Sequence, residues 1–245
     1  MLKIQRALGL FLMLTLVVGT LKGQVNVDVS LGRGFVIPHR PEMKGLQTGH
    51  STQFSLSLTK INNGAQNWHY YYQFPISGLR FDFLSTGNPN QLGYGLACTP
   101  FVQLGLGKKQ NSLLNLHLGA GLGYMSKDFS KTENRKNIAI GSHFNASLQV
   151  GFVAQKYYKW GAMKGGLFLQ HFSNASFSTP NLGINVPTVF IGFWLKNKKY
   201  SAANTDYPVA TLGKAMPAHF LRATTFWALK EKGNPGGEEQ VIAGL

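Results

Sequence analysis

Acidic side chains are scarce in this chain: 9 Asp and Glu stand against 24 Lys and Arg, a formal charge of +15 over 245 residues. Charged residues of both signs make up only 13%, about half of what an ordinary soluble domain carries. Cysteine is scarcer still. Cys98 is alone, which excludes an internal disulfide and a thiolate metal site. It lies in an apolar strand and reads as a packing or lipid-facing residue. No phosphate-binding loop, dinucleotide fingerprint or metal-ligand cluster is present, so neither metal nor cofactor is expected. Past the first 23 residues, no stretch approaches the ~20 continuous apolar residues of a membrane-spanning helix.

What is abundant is glycine, at 29 residues, with aromatics at 12%. The N-terminus reads as a secretory signal over residues 1–23: Lys3 and Arg6 form a basic start, Leu8 to Val18 an apolar core, and Gly19, Thr20 and Gly23 a small-residue exit. From there the chain alternates with period two. Val25, Val27, Val29 and Leu31 face one way, and Asn26, Asp28, Ser30 and Gly32 the other. Phe54, Leu56 and Leu58 alternate with serines and a threonine, and Leu79, Phe81 and Phe83 with Arg80 and Asp82. The pattern recurs from Leu96, Leu114, Phe144 and Leu167, and ends with Val189, Ile191, Phe193 and Leu195.

Eight such segments, several about ten residues long, predict an all-β fold: an antiparallel eight-stranded transmembrane β-barrel over residues 24–199. The small, glycine-rich polar face suits a narrow lumen, and the continuous apolar face a lipid-facing surface. Residues 200–245 lose the pattern and read as a periplasmic tail or the truncated start of a further β unit. Phe220–Leu229 and Glu238–Leu245 are candidate strands around a Gly/Pro turn. Trp68, Tyr70, Tyr71 and Tyr72, with Tyr157, Tyr158 and Trp160, are candidate interfacial aromatics.

If the first strand starts in the periplasm, odd strands run outward. The seventh, roughly Trp160 to Asn174, then ends at the outer surface. The connections around Ile37–Thr52, Lys127–Ser142 and Ala175–Pro187 become long outer loops, and Gly107–Ser112 and Tyr157–Lys159 short inner turns. Nucleic acid is not expected as a partner of an exported barrel. The membrane and its phosphorylated glycolipid are, with Lys127, Lys131, Arg135 and Lys136 as candidate phosphate contacts. Oligomeric state is left open.

The seventh segment ends in His171-Phe172-Ser173-Asn174-Ala175, followed by Pro180-Asn181-Leu182-Gly183 and then Asn185. In a strand, residues i and i+2 share a face with Cα atoms roughly 6.6 Å apart. An imidazole there can take the proton of a neighbouring hydroxyl as it attacks an acyl carbonyl. His171 and Ser173 are in phase with Leu167 and Leu169, so they point to the lipid side. Asn185, past the turn, is a candidate for the group that orients the imidazole. The remaining histidines read differently: His117 as a lumen hydrogen-bonding residue, His143 as a residue that starts the sixth strand near the outer surface, a candidate to approach the site, and His39, His50, His69 and His219 as loop or interface residues.

This segment resembles the active-site signature of the outer-membrane lipid A 3-O-deacylases: His-x-Ser-Asn-Ala, four variable residues, then Pro-Asn-x-Gly. Every fixed position is present. The resemblance implies a serine esterase that removes an ester-linked acyl chain from lipid A or lipopolysaccharide. His171 would be the general base and Ser173 the nucleophile, and Asn181 with the backbone near Ser176 the oxyanion region. Asn174 would shape the turn. The departure is Asn185, where the best-known deacylases carry glutamate; no Asp or Glu lies between Leu167 and Lys199. Outer-membrane phospholipase A, another barrel, uses asparagine at this distance from its histidine. A phospholipid esterase is therefore one alternative, and a non-catalytic lipid-binding or structural barrel another.

Overall fold

A computed structural model describes residues 25–62, 68, 69, 72, 74–107, 113–195, 226–231, 235, 237 and 239–244. The segment read as a secretory signal, Tyr70, Tyr71, residues 108–112 of the Gly107–Ser112 turn, and residues 196–225 with His219 lie outside the described residues.

Eight antiparallel strands close into a barrel in chain order. They are β1 (Asn26–Phe35), β2 (His50–Ile61), β3 (Ile76–Ser85), β4 (Tyr94–Gly105), β5 (Leu114–Met125), β6 (Phe144–Tyr158), β7 (Gly161–Ser173) and β8 (Ile184–Leu195). Closure is made by β1 on β8, with Leu31 opposite Ile191. A separate antiparallel hairpin pairs β9 (Phe226–Glu231) with β10 (Glu239–Gly244).

Period two becomes an inside-out barrel. Asn26, Asp28 and Ser30 are buried, whereas Leu31 is 56% exposed. Leu122, Phe144 and Ile191 are likewise on the exterior. Cys98 shares that exterior phase and is half-buried. The lumen holds a hydrogen-bonded polar network centred on Asp82. The Asp82 carboxylate accepts from Arg80 Nε at 2.8 Å, Gln53 Nε2 at 2.9 Å, Ser55 Oγ at 2.6 Å and Gln149 Nε2 at 2.6 Å. Lys164 reaches Asp28 at 2.9 Å. Buried charges are tolerated only when paired and hydrogen-bonded in this way. His117 is fully buried between Gln103 and Gln149, as its place on the polar face predicts.

The lumen is not polar throughout. At the end where β7 finishes, Phe172, Leu84, Met125, Ile184 and Val186 form an apolar plug with the loop residues Met43, Leu46, Leu92 and Ile140. Met43 and Leu46 come from a 3-10 helix over Pro41–Leu46. The lumenal glycines make room for these rings: a Cβ on Gly123 would lie 2.6 Å from Phe172 Cδ1. The two longest connections at this end are 36–49 and 126–143. At the opposite end β6 and β7 are joined through residues 159 and 160 alone, although the 62–75 connection there is also long.

Candidate active site

The end of β7 alternates across the barrel wall. Phe172 is fully buried in the plug, while His171 and Ser173 are half-buried on the exterior with Leu167 and Leu169. His171 and Asn185 are register partners on β7 and β8. That pairing aims both side chains out of the same face, and His171 Nδ1 lies 2.8 Å from Asn185 Oδ1. With Oδ1 as acceptor, Nδ1 carries the imidazole proton and Nε2 keeps its lone pair.

Beyond Ser173 the chain leaves the strand through two non-glycine residues with positive φ, Ala175 at 54° and Ser176 at 65°. Such residues are uncommon and cluster where surrounding contacts hold a functional geometry. Here the bend returns the Ala175 N–H to Ser173 Oγ at 3.3 Å. Asn181 closes the other side: its Nδ2 donates to Ser173 Oγ at 2.9 Å, and its Oδ1 accepts from Asn174 N at 3.1 Å. The serine hydroxyl is thus met by two N–H donors, one backbone and one side chain. Asn174 Nδ2 donates to Ser142 Oγ at 2.8 Å and to the Ser178 carbonyl at 3.0 Å, tying two loops together. Ser176 lies further round the bend, where its carbonyl accepts from Glu231 N at 3.1 Å.

Gly183 fits where no other residue would. Its φ is +76°, and a Cβ there would lie 2.6 Å from His171 Cε1. Its N–H donates to Ala139 O at 2.9 Å, and Ser178 Oγ donates to Gly141 O at 2.7 Å. The 126–143 loop therefore braces the site loop. Lys127, Lys131, Arg135 and Lys136 are exposed on that brace, and Arg135 Nε donates to the Lys131 carbonyl. His143 turns to Met125 O at 2.8 Å and to Asp128 at 3.7 Å. On the hairpin, Glu231 accepts from the N and Oγ1 of Thr179. Strand β8 ends at the opposite end of the barrel from that loop.

An open groove of about 780 Å³ runs down the exterior from the site, lined mainly by Phe35, Val150, Phe152, Leu167, Leu169 and Val189. Leu169 and Pro187, the register pair next to His171 and Asn185, form its upper wall. Arg33 and His50 supply its polar edge.

The sequence profile of the family described as lipid A 3-O-deacylase (PagL) matches residues 47–194. The chain belongs to the lipid A 3-O-deacylase family. The match takes in the whole His171–Asn185 segment and seven of the eight barrel strands. Among solved structures, the chain is similar to the outer membrane enzyme PagL, at 17% identity over 67% of this chain and 97% of that one, with a TM-score of 0.44. It is also similar to Neisserial surface protein A (NspA), at 10% identity over 71% and 98%, with a TM-score of 0.43. Comparison with curated proteins finds no match.

Within this deacylase-family frame, the structure brings the site residues together as two hydrogen-bonded groups at the end of β7: His171 with Asn185, and Ser173 with Asn181 and Asn174. Sequence reasoning missed His39, read as a loop residue. His39 Nδ1 lies 3.2 Å from Asn185 Nδ2 across a separation of 146 residues, and His39 Nε2 lies 3.1 Å from Leu182 O. No local pattern signals that contact; it exists because β1 closes the barrel on β8.

Proposed function

We propose that this chain is an outer-membrane serine esterase that removes an ester-linked 3-O-acyl chain from lipid A. The observation that carries the reading is the Ser173 environment: a hydroxyl between two N–H donors, two residues from an imidazole whose Nδ1 is held by Asn185, on the lipid-facing side of a barrel. Residues 1–23 then act as the export signal, and the site end of the barrel faces outward.

In this reading the acyl chain lies in the exterior groove and its carbonyl rests beside Ser173. His171 Nε2 takes the Ser173 hydroxyl proton as Oγ bonds to the carbonyl carbon. Negative charge moves onto the carbonyl oxygen, and Asn181 Nδ2 and the Ala175 N–H, which donate to Ser173 Oγ in the free site, shift to that oxygen and stabilise it. Collapse breaks the bond to the sugar oxygen, which leaves with the proton from His171. Water, deprotonated by the same imidazole, then attacks the acyl-serine; the acyl–Oγ bond breaks, His171 returns the proton to Ser173 Oγ, and the fatty acid leaves. Lys127, Lys131, Arg135 and Lys136 surround the head-group side and are assigned to its phosphates.

Mass spectrometry of lipid A after incubation with detergent-purified protein tests this. The wild type is expected to remove one 3-hydroxyacyl mass and the Ser173→Ala variant none. Unchanged lipid A with a folded wild-type barrel would overturn the reading, and hydrolysed phospholipid in the same incubation would replace it with the phospholipid esterase.

A further inference from the structure

A carboxylate and a carboxamide do not orient an imidazole in the same way. Either face of a carboxylate presents an acceptor to His171 Nδ1. The Asn185 amide presents an acceptor in one orientation and a donor in the other. A donor facing Nδ1 would place the imidazole proton on Nε2 and remove the lone pair that has to receive the serine proton. The rotation that reverses the amide is a single χ2 turn between two similar wells. A site built on asparagine therefore needs something that distinguishes Oδ1 from Nδ2.

We propose that His39 is a positioning residue that fixes the Asn185 amide with its oxygen toward His171. The hydrogen bonds run in one consistent direction. His39 Nε2–H donates to Leu182 O at 3.1 Å, which leaves Nδ1 as an acceptor. Asn185 Nδ2 donates to that Nδ1 at 3.2 Å, so Oδ1 faces His171 and accepts from its Nδ1–H at 2.8 Å. Reversing the amide would set two acceptors, Oδ1 and His39 Nδ1, against each other and two donors against each other at His171. The backbone supports the same arrangement: Ile37 N donates to Asn185 O at 2.9 Å, which extends β1 past its last strand residue and brings His39 beside the amide. In this arrangement His39 acts through the Asn185 amide. This inference rests on the reading of His171 and Ser173 as base and nucleophile.

The rate at which a fluorophosphonate labels Ser173 in detergent-solubilised, full-length protein tests it, because that rate reports the serine and its base without needing the natural lipid. His39→Ala and His39→Leu are each expected to slow labelling about tenfold, the equivalent of one hydrogen bond. His39→Asn, which restores an acceptor for Asn185 and a donor, is expected to recover most of the rate. In the Asn185→Ala background, His39→Ala is expected to cost nothing further, since its effect passes through the amide. Equal labelling of wild type and His39→Ala would overturn the positioning role alone, as would an unchanged penalty in the Asn185→Ala background. A folded wild type that is not labelled at Ser173 would overturn the nucleophile and the positioning role together.

Discussion

His171 on β7 and Asn185 on β8 are register partners whose side chains meet at 2.8 Å on the outside of the barrel wall. Fourteen residues separate them in sequence, and a turn anchored by Asn174, Asn181 and Gly183 folds that interval back on itself. Asparagine at this position orients the imidazole but gives its cationic form little stabilisation, since the amide carries no charge.

Asn185→Asp keeps the acceptor for His171 and adds charge, at the loss of the Nδ2 donor to His39. A hydrogen bond to a carboxylate is roughly twice as strong as a neutral one, and in the proposed mechanism the gain falls on the state in which His171 holds the serine proton. The variant is expected to raise kcat about tenfold, measured as acyl release from lipid A in mixed micelles. An unchanged or lower kcat would show that orientation alone limits the asparagine site.

Asn181 has two duties, and one substitution separates them. Asn181→Asp retains an acceptor for Asn174 N but replaces the donor at Ser173 with negative charge. Loss of one oxyanion donor costs about 10²–10³ in kcat. The variant should fall by at least that much while KM stays within about threefold. A comparable loss in KM instead would make Asn181 a substrate-binding residue.

Gly183→Ala tests how tightly the imidazole is held. The new methyl would meet His171 Cε1 at 2.6 Å in a backbone conformation with φ of +76°. We expect activity to drop about a hundredfold, in keeping with the sensitivity of catalysis to displacements near 1 Å, with barrel content unchanged by circular dichroism. Full activity would mean that the turn relaxes without moving the ring.

Phe172→Ala removes the largest fully buried side chain of the plug. Large-to-small changes of this kind cost about 3–5 kcal/mol in close-packed interiors. The apparent unfolding temperature in detergent should fall clearly, and Ser173 should become less reactive because its neighbour no longer anchors the strand end. A stable, fully active variant would show that the loops, not the plug, hold the site.

The barrel was legible because its signal is local and repeated. Residues such as Val27, Val29 and Leu31 alternate with Asn26, Asp28 and Ser30, and the same phase that puts Leu167 and Leu169 outside puts His171 and Ser173 there too. The plug was not legible. Met43, Leu46, Leu92 and Ile140 sit in connections, where no period tells which way a side chain turns, and only the closed barrel gathers them around Phe172. His39 escaped for a related reason: strand pairing between the two ends of the sheet, and nothing near it in sequence, sets it beside Asn185. The partners within the lumen were hidden as well. Parity puts Arg80, Asp82 and Gln149 inside, but whether Asp82 meets Gln149 depends on the stagger between strands that are not neighbours.

The seam between β1 and β8 has a role besides closing the sheet. Ile37 and His39, just past the first strand, touch Asn185 at the start of the last one. A chain whose ends have not yet met holds His171, Ser173, Asn181 and Asn185 on one hairpin but lacks the contacts of Ile37 and His39 to Asn185. If Asn185 orients His171 as proposed, the last of those contacts forms only when the cylinder is complete. Reactivity at Ser173 would then serve as a clock for barrel assembly, readable in time as well as in amount.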